Sequence, residues 1–194
     1  MKTRSTIAMG LLLAGATAFV SAHGQTAAAY GTLLDGKNMN NFNPVGNANW
    51  RIVEDTVYAD RGTGFLVSKE SYADFKIRAE IWVDTPANSG IFIRCQNPNN
   101  IGANTCYEVN VFDTRPGAEY ATGAIVNVAK VIGAPKAGGQ WNVLEITAKG
   151  PQMTITLNGV KTAEGSDTKN PRGRFALQYG AGVVKFRKLE ISPL

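Results

Sequence analysis

Histidine is almost missing from this sequence: His23 is the only one. It sits in a polar leader, HGQTAAAYG, ahead of the patterned part of the chain. Imidazole general-base catalysis, a Ser-His-Asp triad and a His-ligated zinc site therefore lose their central residue. Cysteine is nearly as scarce, with Cys95 and Cys106 the only two. A catalytic thiol would need an activating partner, and the sequence offers none. An even pair flanking QNPNNIGANT reads instead as a disulfide, provided the chain reaches an oxidising compartment. Closing a loop of that size adds roughly 2–3 kcal/mol in the chain-entropy view. Strong charge of one sign is lacking too. Setting aside Lys2 and Arg4 leaves 18 of the 20 basic side chains against 15 acidic ones, spread singly along the chain. That pattern has no basic stripe with interleaved aromatics, so nucleic acid is not an expected partner.

Long apolar runs occur only at the start. MKTR is a basic head, IAMGLLLAGATAFV an apolar stretch shorter than the roughly 20 residues a spanning helix needs, and VSA ends in a small-x-small pattern. Residues 1–22 are read as a signal peptide cleaved after Ala22, and 23–30 as a leader. No cysteine near the cleavage point offers a lipid attachment site. The expected address is periplasmic or secreted, with no membrane association once the signal is removed.

A helical period of 3.6 is absent from the remainder. What is there is a series of short runs alternating with period two, separated by Gly, Asn, Pro and Asp. They lie at 50–59, 64–69, 75–83, 90–95, 107–113, 122–128, 141–150, 153–160, 173–180 and 184–191. Strands this closely spaced leave no room for crossover helices, so an all-β antiparallel sandwich or jelly roll is expected, as a single domain over 31–194. A content of 44% hydrophobic residues is enough for one core. AKGPQ at 148–152 and LNGV at 157–160 read as hairpin turns.

Alternation also sorts side chains by face. In FKIRAEIWV, Phe75, Ile77, Ala79, Ile81 and Val83 form an apolar stripe, leaving Glu80 and Trp82 on a charged face. In NSGIFIRC, Phe92 and Arg94 are expected on one side, with Ile91, Ile93 and Cys95 on the other. In YEVNVFD, Glu108 and Asn110 oppose Tyr107, Val109 and Val111, and in FALQYG Gln178 opposes Leu177 and Tyr179. Aromatic rings beside planar polar groups are what sugars bind to. A merely solvated sheet face with cross-strand charge pairs would look the same in the sequence. Asp113, followed by TRPGAEY, has oxygens for a divalent ion such as calcium, although an aspartate ending a strand commonly caps a turn. No cofactor is expected.

The motifs GTLLDGKNMNNF, YADFKIRAEIWV, NSGIFIR, YEVNVFD, TGAI, WNVLEI, LNGV, LQYG and FRKLEI follow one another in an order and spacing that resembles the 3-keto-disaccharide hydrolase domain family. The resemblance covers about 31–194. It implies a concanavalin A-like jelly roll with one concave sheet carrying a sugar site. Residue by residue, it implies Glu80, Arg94, Glu108 and Asn110 in that site, with Asn88, Gln178 and Lys188 near it and Asp113 at its edge. Phe42 and Val126 depart from the family pattern, which usually has Trp and Tyr there.

The activity so implied needs no histidine. The C3 carbonyl of a 3-keto-glycoside acidifies the C2 hydrogen, a carboxylate (Glu108 or Glu80) removes it, and the aglycone leaves C1 before water adds. Arg94, or else Lys188, is expected to stabilise the enolate oxygen, while Asn88, Asn110, Gln178 and Trp82 hold the sugar. Two other readings stay open at this stage: an ordinary glycosidase using Glu80 and Glu108, and a non-catalytic carbohydrate-binding module. The partner in each case is a small carbohydrate or glycoside, and the oligomeric state is not encoded legibly.

Overall fold

A computed structural model describes residues 30–194; the expected signal peptide and all but the last residue of the leader fall outside the described residues. Thirteen strands form two antiparallel sheets. The strands are β1 (Gly31–Leu34), β2 (Phe42–Gly46), β3 (Arg51–Val53), β4 (Thr56–Ala59), β5 (Gly64–Ser68), β6 (Phe75–Val83) and β7 (Asn88–Cys95). After these come β8 (Tyr107–Val111), β9 (Trp141–Lys149), β10 (Gln152–Leu157), β11 (Val160–Ser166), β12 (Arg174–Ala181) and β13 (Val184–Pro193). One short 3-10 turn spans Ala118–Tyr120.

The eight-stranded sheet runs β11-β10-β9-β6-β13-β4-β3, with β1 beside the far end of β13; the five-stranded sheet runs β2-β5-β12-β7-β8. They pack as a jelly-roll sandwich. Period-two alternation sends Phe75, Ile77, Ala79, Ile81 and Val83 of β6 inward, as expected, against Ile91, Ile93, Val109, Val111, Phe175 and Leu177 of the other sheet. Burying side chains such as Phe75, Phe175 and Phe186 contributes about 1.5–3 kcal/mol each.

Turn chemistry sets the register of the hairpins. Asn158 and Gly159 both take positive φ (52° and 80°) in the two-residue turn that aligns Leu157 with Val160. The expected run at 50–59 is in fact two strands, because Glu54 and Asp55 form a turn of the same left-handed kind, φ 48° and 54°. The run at 122–128 is not a strand: it follows the edge of β8 through an isolated bridge, Val109 to Ile125, and a few backbone hydrogen bonds to Glu108 and Asn110, without forming a continuous ladder. β1, β2 and β11, which no expected run covered, complete the sheets. Cys95 and Cys106 are joined in a disulfide, as expected. Among the described residues no helix is long and apolar enough to cross a membrane.

Candidate functional site

Pairing carries residues across the five-stranded sheet in rows that share a face. Val45, Phe65, Gln178, Gly90 and Asn110 stand side by side on β2, β5, β12, β7 and β8. Val67, Ala176, Phe92 and Glu108 form the next row on the same, outward face. The expected residues Glu108, Asn110, Gln178 and Asn88 thus do come together. Phe65 and Phe92 meet edge to face at 5.4 Å and give the face an apolar wall. Val45, Phe65, Asn88, Gln178 and Gly180 line a hollow of about 400 Å³ at one end.

The polar groups here are short of partners. Asn110 is fully buried, and its Nδ2 donates to the Tyr120 carbonyl at 2.6 Å, which fixes the amide and leaves Oδ1 with no donor. Oε1 of Gln178 is likewise buried without a donor. Between them, Gly90 keeps the strand open: a Cβ there would fall 3.5 Å from Gln178 Oε1 and only 2.8 Å from the Val109 carbonyl. Glu108 is 8% exposed, and among the described residues its carboxylate has no hydrogen bond or ion pair. Burial pushes its carboxyl above the ordinary glutamate range, with Arg115 pulling the other way.

Arg94 is not in this site. It is a β-bulge: Cys95 faces Arg174 and Phe92 faces Ala176, so β7 carries one residue too many, and Arg94 takes φ 55°. The extra residue reverses the alternation, so that Cys95, not Arg94, clusters with Phe92 on the outer face. Arg94 turns away from Glu108 and is 1% exposed, donating to the carbonyls of Ala73 (2.9 Å) and Gly150 (2.7 Å) and pairing with Asp74 (3.1 Å). It ties β7 to the start of β6 and the β9–β10 turn. The expected convergence of Arg94 and Glu108 in one hollow is therefore corrected. A signal did exist: a Cβ on Gly173, facing the bulge, would lie 2.3 Å from the Arg94 carbonyl carbon.

Glu80, Trp82 and Lys188 are a second correction, for they project from the outer face of the eight-stranded sheet, on the far side of the sandwich. Glu80 pairs with Arg187 and Arg78, and Lys188 with Glu190 at 2.9 Å. Asp113 lies at the end of β8, but its carboxylate is taken up by the Thr122 hydroxyl (2.6 Å) and the backbone N–H groups of Ala137 and Gly138 (3.0 and 2.9 Å). It anchors a loop rather than offering open oxygens to an ion. Sequence reasoning missed Arg115, the cation acting on Glu108, although it lies in the quoted TRPGAEY.

Residues 29–192 match the family described as 3-keto-alpha-glucoside-1,2-lyase-like domain. No curated protein matches the chain. Among solved structures, two Parabacteroides distasonis proteins, each provisionally named a glycosyl hydrolase, share the fold. One is 16% identical with a TM-score of 0.75, covering 85% of this chain and 94% of its own. The other is 22% identical with a TM-score of 0.71, covering 86% and 100%. The carbohydrate-binding module CBM66 of Bacillus subtilis is 18% identical with a TM-score of 0.64, covering 78% of this chain and 95% of its own.

Proposed function

Because the chain belongs to the 3-keto-alpha-glucoside-1,2-lyase-like domain family, we propose that it is an exported enzyme cleaving 3-keto-glycosides by elimination and hydration on the outer face of its five-stranded sheet. The observation that carries this reading is Glu108: a buried carboxylate with no hydrogen bond or ion pair among the described residues, two residues along β8 from the orphan acceptor of Asn110. A carboxyl raised by burial is a stronger base once ionised than one in water.

Glu108 takes the proton from C2, and the C–H electrons pass into C2–C3 as the C3 oxygen becomes an enolate. The enolate collapses, C1–C2 becomes a double bond, the C1–O bond breaks, and the departing aglycone oxygen takes up a proton from solvent. Water then adds, its hydroxide going to C1 and its proton back to solvent, while the proton held by Glu108 goes to C2 and restores the carboxylate. Asn110 Oδ1 and Gln178 Oε1 accept from sugar hydroxyls, and the Phe65–Phe92 pair meets the C–H surface of the ring. With Arg94 held by backbone carbonyls, Arg115 is the cation available to the developing charge. Glu80 sits on the opposite outer face of a sandwich whose layers are about 10 Å apart, beyond the roughly 5–9.5 Å that a two-carboxylate glycosidase needs. The Cys95–Cys106 disulfide suits an oxidising compartment and supports the exported reading.

The test is aglycone release from nitrophenyl 3-keto-glucosides and from the parent glucosides, with and without chelator. Release from the oxidised series alone is expected. Release from the plain glucosides, or saturable binding of the 3-keto compounds without release, would replace this reading with a glycosidase or a binding module.

A further inference from the structure

The outer face of the eight-stranded sheet carries a second arrangement that the proposed reaction does not use. Register places Arg51, Tyr58, Lys185, Trp82 and Trp141 in one continuous row across β3, β4, β13, β6 and β9. Cations and rings are interleaved along it. The Arg51 guanidinium lies 4.4 Å from the centre of the Tyr58 ring, Lys185 Nζ 4.7 Å from the centre of Trp82, and the Arg187 guanidinium 4.2 Å from the centre of Trp141. A ladder of this kind could serve the sheet alone, but one end of it is hollow. Tyr58, Trp141, Lys185 and Arg187 border a cavity of about 310 Å³, closed on the other side by the β3–β4 turn with Glu54 and Asp55. That turn holds two non-glycine residues at positive φ, a conformation that L side chains adopt at a cost.

We propose that this hollow is a binding site for a neutral saccharide, separate from the Glu108 face. The lining decides the chemical class. Two cations face two carboxylates, so the rim has no net charge to attract a polyanion, yet it presents both donors and acceptors, as a polyhydroxylated ligand requires. Tyr58 and Trp141 supply ring surface for sugar C–H faces, and both are only half-buried. Their cation partners already hold them upright, so little side-chain freedom is lost on binding. The site holds a sugar chain weakly while the opposite sheet works on its own substrate.

The test is amide and indole NMR of the ¹⁵N-labelled chain titrated with maltotriose and cellotriose, and with tri-galacturonate as the anionic control. At least one neutral trisaccharide should shift the Trp141 indole and the amides around Tyr58, Lys185 and Arg187 with saturation, leaving Trp50 still. Trp141→Ala, and independently the Lys185→Gln/Arg187→Gln pair, should weaken that binding at least tenfold without changing turnover of a 3-keto-glucoside. The second variant keeps the rings and so answers any loss of folding in the first. Glu108→Gln should leave the shifts intact, which separates failure here from failure of the proposed reaction. No shift with either neutral sugar, shifts confined to β8, or tighter binding of tri-galacturonate would overturn the proposal.

Discussion

The two outer faces of the sandwich treat their polar groups in opposite ways. On the eight-stranded sheet the charges answer one another: Arg51 with Asp60 at 2.8 Å, Lys188 with Glu190 at 2.9 Å, Glu80 with Arg187. On the five-stranded sheet Glu108, Asn110 Oδ1 and Gln178 Oε1 are buried or nearly so, and among the described residues none of them receives a hydrogen bond, Glu108 having only the pull of the Arg115 charge. A buried polar atom left unpaired costs about 1–3 kcal/mol, and more when it is charged. A satisfied face is cheap to keep and binds weakly; an unsatisfied one is kept at a cost that only a ligand or a reaction recovers. The contrast separates recognition from chemistry better than the number of charges does, since the satisfied face has more of them.

The sharpest way to break that comparison is Glu108→Gln. If the orphan carboxylate is the base, 3-keto-glucoside turnover should fall by about 10³-fold, within the range of positioned proton transfer. Stability should move the other way. A carboxyl whose folded pKa lies above its unfolded one contributes stability that is present at low pH and lost as pH rises through the folded value. The glutamine variant escapes that loss, so it should melt higher than the parent at neutral pH, with the gap closing in acid. The parent's kcat should rise with pH through a midpoint above the ordinary glutamate range. A variant that loses activity and also melts lower at neutral pH would mean that Glu108 is structural.

Arg94→Ala comes next. The change removes a buried cation and strands the carbonyls of Ala73 and Gly150, while the half-exposed Asp74 carboxylate keeps the Gly150 N–H. A loss of about 3–5 kcal/mol is expected, seen as a lower denaturant midpoint. Per folded molecule, KM and kcat should change far less than in Glu108→Gln. Loss of activity with undiminished stability would return Arg94 to the site.

The fate of Arg94 also marks where the sequence stops being legible. Alternation in β6, β8 and β12 places the core correctly, and Glu108, Asn110 and Gln178 are brought together as their patterns require. Alternation fails at Arg94 because a bulge adds a residue, and one added residue sends every later side chain to the other face. The pattern also cannot say which sheet a strand joins. Glu80 and Trp82 share a polar face with nothing but their own sheet, and that partnership is fixed by strand order, which no local spacing encodes. The segment at 122–128 reads as a strand because it is rich in β-branched residues, yet it lies along the edge of β8 in an irregular path fixed by Asp113 and Asn110.

Gln178→Leu tests the orphan amide with a smaller effect. Removing a buried acceptor that has no donor should leave stability unchanged or raise it by up to about 1 kcal/mol. KM for a 3-keto-glucoside should rise about tenfold with kcat little altered, because the lost hydrogen bond serves ground state and transition state alike. A destabilised variant with unchanged KM would show that the acceptor is satisfied within the protein.

The smallest effect belongs to the satisfied face. Lys188 and Glu190 form an exposed-edge pair, with 43% and 16% of their side chains accessible, beside an Arg78 that also approaches Glu190 at 3.7 Å. Lys188→Gln takes away one of two cations from that carboxylate, so Arg78 retains most of the attraction, and salt screens the rest. The expected change in stability is under about 0.5 kcal/mol. Turnover at Glu108 should not move, since the substitution lies across the sandwich from it. If instead Lys188→Gln lowered kcat while the melting temperature held, the two faces would be coupled through the core. The distinction between them would then describe where charges sit and not what they do.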